Sequence, residues 1–190
     1  VPLPVAVESA FDQWAMSYEH SDLQRLLFDP VHATVVAELG RHVVDRSAVV
    51  DVGCGTGRLL RRLDGVFATS VGVDPASGML VAARRLGTRA GLVRAGAERL
   101  PLGDRSFSLV TTTLSARHWS DVNAGLAELA RVLAPGGLVV VGEARTGRTP
   151  FVDAAVAGRH GLDVVACVPA PVRGPVPPAD VVTLRRTPRR

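Results

Sequence analysis

Lysine and isoleucine are absent from the 190 residues, and all 22 basic side chains are arginine. Without lysine there can be no Schiff base with a carbonyl substrate and no phosphate-gripping lysine of the P-loop kind. Cysteine occurs twice, as Cys54 and Cys167, too sparsely for a disulfide framework and at no metal-ligand spacing. Both read as small buried residues, not reactive thiols. Aromatic side chains make up only 4% of the chain, so no stacking platform for single-stranded nucleic acid stands out. No apolar run reaches the length a membrane helix needs, and "VPLPVAVESAFDQW" has neither the basic region nor the long apolar core of a leader. A soluble, cytoplasmic protein with no membrane association is expected.

What is present is ordinary for a globular domain: 47% apolar and 21% charged residues, in a length that suits one domain. The net charge is +4, and Arg185, Arg186, Arg189 and Arg190 cluster at the end. Such a tail can touch a polyanion, but a solvated terminus is the simpler reading of a charge run, so a nucleic-acid partner is not expected.

Short apolar runs alternate with helical spacing. Residues Ala48–Val52, Ser70–Val73, Leu92–Ala95, Ser108–Thr112 and Leu138–Gly142 read as buried parallel strands. In Ser120–Leu133, Val122, Leu126, Leu129, Ala130 and Leu133 share one face, with Ser120 or Asp121 able to cap the start. Pro135-Gly136-Gly137 should stop that helix and turn the chain into the next strand. "AFDQWAMSYEH" and "PVHATVVAELGRHV" predict two helices before the first strand, and Phe151–Arg159 one after the fifth. Two further strands are expected near Asp163–Val168 and Val181–Arg185, joined by a proline-rich connection unsuited to a sheet interior. The pattern predicts a Rossmann-like α/β fold with helices on both faces of a mostly parallel sheet.

The chemistry concentrates in "VVDVGCGTGRLL". Gly53, Gly55 and Gly57 allow a tight bend and close approach of a ligand to the backbone. A dinucleotide fingerprint would need its third glycine where Arg58 stands, and a phosphate loop needs a lysine. Asp51 beside the loop favours a cationic ligand over a pyrophosphate. Asp74, ending the second strand, can accept both hydroxyls of a ribose, and Ala97 and Glu98 follow the third strand where an adenine edge could be read. The combination describes a site for an adenosine carrying a cation.

With "VGVDPASGML", "GAERLPLGDRSFSLV" and "ELARVLAPGGLVVV" following in order, the chain resembles the class I S-adenosylmethionine-dependent methyltransferases, in particular the small-molecule group that includes quinone-biosynthesis C-methyltransferases. The resemblance spans roughly residues 11–165. It implies seven strands, the last antiparallel, in a single domain over 1–190: lid helices over 1–45, a cofactor-binding core over 46–168, and a proline-rich loop, final strand and basic tail over 169–190. It also implies S-adenosylmethionine as cofactor, S-adenosylhomocysteine as product and a small-molecule acceptor. By resemblance, Asp51, Gly53, Cys54, Gly55 and Gly57 frame the methionine moiety, Asp74 holds the ribose, Pro75 and Met79 flank the adenine, and Ala97, Glu98 and Ser115 complete the cofactor site. Met79 reads equally as core packing. Gly96 stands where family members often carry an acid, so an adenine amino contact is missing unless Glu98 substitutes.

The stretch "TTTLSARHWSD" lies beside the reacting methyl in such folds, making His118 a candidate base or orienter of the acceptor; a helix-start histidine facing solvent is the alternative. His20 is a second candidate base. Tyr18 is a candidate lid residue, although Phe11, Trp14 and Tyr18 also have the spacing of a packed helix face. Arg117 reads as exposed. A non-catalytic binding protein and an RNA or protein methyltransferase are the competing readings, and pairing with a second copy as a homodimer is open.

Overall fold

The computed structural model describes residues 11–12, 15, 18–42, 45–145, 147 and 150–186. Trp14 and the terminal Arg189 and Arg190 lie outside them, as do residues 1–10 of the expected lid.

Seven strands form one sheet: β1 (Ala48–Val52), β2 (Thr69–Asp74), β3 (Gly91–Arg94), β4 (Phe107–Thr113), β5 (Leu133–Ala144), β6 (Leu162–Ala170) and β7 (Ala179–Arg186). Their order is β3-β2-β1-β4-β5-β7-β6. The first five run parallel, and β7 is antiparallel to both β5 and β6. The strands are apolar runs because helices cover both faces; β4, at the centre, is buried along its whole length.

The helices are α1 (Asp29–His42), α2 (Arg58–Arg62), α3 (Ser77–Arg85), α4 (Val122–Val132) and α5 (Ala154–Arg159). Asp121 caps α4 by accepting the Ala124 amide at 3.0 Å, and Asp153 caps α5 by accepting the Val156 amide at 2.9 Å. Helix α1 follows directly on a π-helical turn, Gln24–Phe28. Val31, Val35 and Leu39, one turn apart, pack with Val49, Leu109, Leu138 and Val140. Its inner face therefore belongs to the core, which leaves the segment before Ser21 as the lid candidate.

Two boundaries differ from the sequence expectation. Pro135-Gly136-Gly137 does not precede β5 but lies within it, because Leu133 is already extended and pairs with Phe107. The register against β4 shifts between Phe107 and Leu109, so the proline and the glycine at φ +76° occupy a bulge where a ladder amide is not required. Pro169 belongs to β6, where it stands opposite Asp180; β6 is an edge strand, which tolerates proline.

The strand order reverses direction between β1 and β4, and ligands in open parallel sheets bind beyond the carboxyl ends of strands at such a point. The glycine bend leaves β1 there. No helix among the described residues is long and apolar enough to cross a membrane.

Candidate active site

A cavity of about 870 Å³, its mouth included, opens at the carboxyl ends of β1, β2 and β4. Asp51, Gly53, Cys54, Gly55, Asp74, Pro75, Met79, Ala97, Glu98, Ser115, His118 and Tyr18 all line it. The structure thus brings together every predicted site residue except Gly57 and His20. Gly57, at φ +74°, serves the bend as the residue before α2. His20 is exposed and is not part of the cavity wall.

Asp74 ends β2, and its carboxylate accepts the amides of Gly55 (2.8 Å) and Ala76 (2.9 Å). A carboxylate has about four acceptor sites, so these bonds aim the group without exhausting it. At φ +52°, Gly55 presents open space where a side chain would stand. Gly53 is crowded instead: a Cβ there would lie 1.8 Å from Ser115 Oγ. Ser115 is held in turn by Trp119, whose Nε1 donates to it at 3.2 Å. Leu114, between β4 and Ser115, has φ +51°, an uncommon conformation for a branched side chain and one found at functional sites.

Asp51 is fully buried. Burial pushes its pKa up to about 7, against the lowering effect of the Thr111 hydroxyl, which donates at 2.8 Å; the negative charge of Asp74 raises it further. A site that makes a carboxylate this costly to ionise is one that gains from a cation. Cys54 is also buried, with its thiol pushed up by burial, so it packs and does not react, whereas Cys167, expected to be buried as well, is exposed on the edge strand β6.

On the Ala97–Glu98 side of the cavity, the space beside Gly96 is already taken. A Cβ at Gly96 would stand 2.8 Å from Glu98 Oε2, so the Glu98 side chain occupies that space. Glu98 Oε1 accepts the Ser120 amide (2.7 Å), its hydroxyl (2.8 Å) and the Asp121 amide (3.3 Å). Burial works to raise its pKa, and these bonds outweigh it and hold the carboxyl low. Met79 is buried among Ala15, Ala76 and Ala82, and it also lines the cavity.

His118 sits exposed at the rim, its ring edge-on to Phe11 at 5.2 Å, and burial of part of the ring together with Arg117 lowers its pKa. Arg117 ties the turn Ala116–His118 to the sheet, its guanidinium 2.8 Å from the buried Glu143 carboxylate. Arg186 of the basic tail reaches the carbonyls of Ala130 and Leu133, so it is part of the fold.

The amino-terminal segment is fastened over the glycine bend. Glu19 accepts the Thr56 hydroxyl and an Arg58 N–H at 2.6 Å, Arg58 also bonds Asp29 at 2.9 Å, and Asp12 accepts the Gly78 amide at 2.6 Å. Gln24, Phe28 and His32 are among the wall residues not singled out from the sequence. A histidine beside Val31 and Val35 in an apolar helix reads as core, and only its position one turn from Phe28 hints at a shared wall.

Residues 50–141 match the family described as a methyltransferase domain. The chain is 32% identical over 171 residues to demethylmenaquinone methyltransferase of Clavibacter sepedonicus, covering 88% of this chain and 67% of that protein. It is 33% identical over 146 residues to malonyl-[acyl-carrier protein] O-methyltransferase of Pseudescherichia vulneris, covering 76% and 56% respectively. The chain therefore spans between about half and two thirds of these relatives' length. Its fold matches the putative methyltransferase crystallised with the Trm112 activator of Haloferax volcanii (TM-score 0.76, 19% identity, covering 94% of this chain and 98% of that one). It also matches magnesium protoporphyrin IX methyltransferase from Synechocystis PCC 6803, solved with bound S-adenosylmethionine (TM-score 0.75, 14% identity, covering 98% and 100%).

The chain belongs to the class I S-adenosylmethionine-dependent methyltransferases. The cofactor of that class is S-adenosylmethionine. The residues present fit that cofactor: a buried acid that calls for a cation, an aimed carboxylate at the end of β2, and an open glycine between them.

Proposed function

We propose that the chain transfers a methyl group from S-adenosylmethionine to a small-molecule acceptor. The observation that carries this reading is the single cavity wall shared by Asp51, Asp74, the glycine bend and a further set of groups, including His32 and Thr113, that the cofactor does not require. When bound, the cofactor supplies an electrophilic methyl on a sulfonium.

The chain's residues then have separable tasks. Asp74 accepts the ribose hydroxyls, and Asp51 offsets the positive charge of the methionine moiety. Glu98 borders the adenine in place of the missing acid at Gly96. Tyr18, whose phenol burial pushes above its ordinary pKa, stays neutral and closes the site with the segment fastened by Glu19. His118, neutral near pH 7 because its pKa is lowered, is available to take a proton from an acceptor that must lose one. Alignment of acceptor and methyl supplies much of the rate in such a cavity.

Calorimetric titration with S-adenosylmethionine and S-adenosylhomocysteine tests the cofactor part: clear binding, lost in Asp74→Ala, supports it. Transfer of a labelled methyl from the donor in a screen of small acceptors tests the activity. With an acceptor in hand, His118→Ala should lower turnover and leave donor affinity unchanged; intact turnover would remove His118 from the reaction.

A further inference from the structure

Part of the cavity lining has no role assigned to the cofactor. Gln24, Phe28, His32 and Thr113 form it, with Leu59 and Leu114 adding apolar surface. The rings of Tyr18 and Phe28 meet edge-on at 5.5 Å, and those of Phe28 and His32 at 6.1 Å, so one continuous wall runs from the lid candidate to α1.

Two polar side chains in this wall are 3% exposed and incompletely bonded. His32 Nε2 lies 3.1 Å from Thr113 Oγ1, while its Nδ1 is buried with no hydrogen-bond partner among the described residues. Gln24 donates its amide to the Tyr18 carbonyl at 3.2 Å, which fixes which end is oxygen, and that Oε1 is likewise buried and unpartnered. Buried polar groups are nearly always paired, and two orphans lining one cavity point to a ligand that pairs them.

The electrical character of this part is neutral. Burial, aided by the positive charges of Arg62 and Arg58, holds His32 at a pKa of about 3. Arg58, the cavity's arginine, is committed to Glu19 and Asp29. Among the described residues, a carboxylate or phosphate would find no uncommitted cation in this part of the lining. Gln24 Oε1 needs a donor, and His32 Nδ1 serves as donor or acceptor according to the tautomer Thr113 selects.

We propose that Gln24 and His32 form the acceptor subsite, and that it selects an uncharged molecule presenting a hydroxyl or N–H group on an apolar ring. Gln24 Oε1 receives that hydrogen, His32 Nδ1 makes the second bond, and Phe28, Leu59 and Leu114 flank the ring. His32 is a positioning group rather than a base. This rests on the reading of Asp51, Asp74 and the glycine bend as the cofactor site.

The test uses the chain saturated with S-adenosylhomocysteine and three probes of similar shape: phenol, toluene and benzoate, with affinity read by ligand-observed NMR and the imidazole nitrogens by NMR of the nitrogen-15-labelled chain. Phenol is expected to bind at least several-fold more tightly than toluene, benzoate not to bind, and the His32 Nδ1 resonance to move with phenol alone. Gln24→Leu should reverse the phenol–toluene order and leave affinity for S-adenosylhomocysteine within twofold. Equal binding of phenol and toluene, or an unmoved imidazole resonance, would overturn the proposal. So would a tenfold loss of S-adenosylhomocysteine affinity in Gln24→Leu or His32→Phe with unchanged melting, since the pair would then belong to the cofactor. Should S-adenosylhomocysteine not bind the intact chain, the cofactor reading fails, and the phenol–toluene comparison on the unliganded chain still decides the subsite.

Discussion

The carboxylate of Asp74 accepts the backbone amide of Gly55 at 2.8 Å, so the acid ending β2 and the bend leaving β1 are one hydrogen-bonded unit. An acid there does two things: it shapes the bend and it faces the cavity.

Asp74→Ala should therefore fail in two measurable ways. Losing two bonds to a charged acceptor weakens cofactor binding on the order of a hundredfold or more, read by calorimetry. The melting temperature of the unliganded chain should also drop, because the Gly55 and Ala76 amides lose their partner. Asp74→Asn keeps one acceptor oxygen and should recover part of the melting loss but little of the affinity. Full affinity in either variant would remove Asp74 from the cofactor site.

Gly53→Ala probes the crowding opposite Ser115. The new Cβ would lie 1.8 Å from Ser115 Oγ at φ +74°. Strain and overpacking together should cost about 2–4 kcal/mol of stability. Adding Ser115→Gly relieves the contact but not the backbone strain, so chemical denaturation should show partial rescue. Complete rescue would mean that the conformation at Gly53 carries no penalty of its own.

Asp51 gives a pH dependence of definite sign. Its pKa rises from an ordinary 3.8 to about 7 in the folded chain. The folded state thus holds the proton more tightly, and this contribution to stability is complete below pH 3.8 and is lost as pH rises through about 7. Asp51→Asn should stabilise the unliganded chain at pH 8, by up to about 4 kcal/mol before relaxation is allowed for. Binding a cation reverses the preference, because the carboxylate must then be ionised. Affinity for S-adenosylmethionine should rise between pH 5.5 and 7 by up to about tenfold per unit, with proton release visible as a buffer-dependent heat. A flat profile would separate Asp51 from the cofactor's charge.

The core was readable from the sequence because buried parallel strands are apolar runs whatever their neighbours; β1 was expected over Ala48–Val52 and lies there. The places of the bend, Asp51 and Asp74 were readable for a similar reason: they lie at strand ends, which are local features. What escaped depended on distant partners. Glu98 is shaped by Ser120, 22 residues away, and Arg117 by Glu143, 26 away. Gln24 and His32 were invisible because a π-helical turn brings Gln24 to the same wall as a histidine in an apolar helix, and neither spacing nor composition announces that turn.

The link between Glu19 and Arg58 offers the most direct probe of the lid. Glu19 holds Thr56 and Arg58, and Arg61 lies 3.5 Å from the same carboxylate. Both Glu19 and Arg58 are largely shielded, with side-chain exposures of 16% and 25%, so their attraction is less screened than that of a surface pair. If the segment carrying Tyr18 closes over the cofactor, Glu19→Gln should speed cofactor dissociation by roughly three- to tenfold, equivalent to about 1 kcal/mol, with little change in association. Stopped-flow displacement of S-adenosylhomocysteine reads this. Protease should also cut within residues 11–21 sooner in the variant, and bound cofactor should slow the cut in the parent chain. A dissociation rate unaltered by Glu19→Gln, together with faster cleavage, would show that the segment opens without gating the cofactor and that the site is closed from another side.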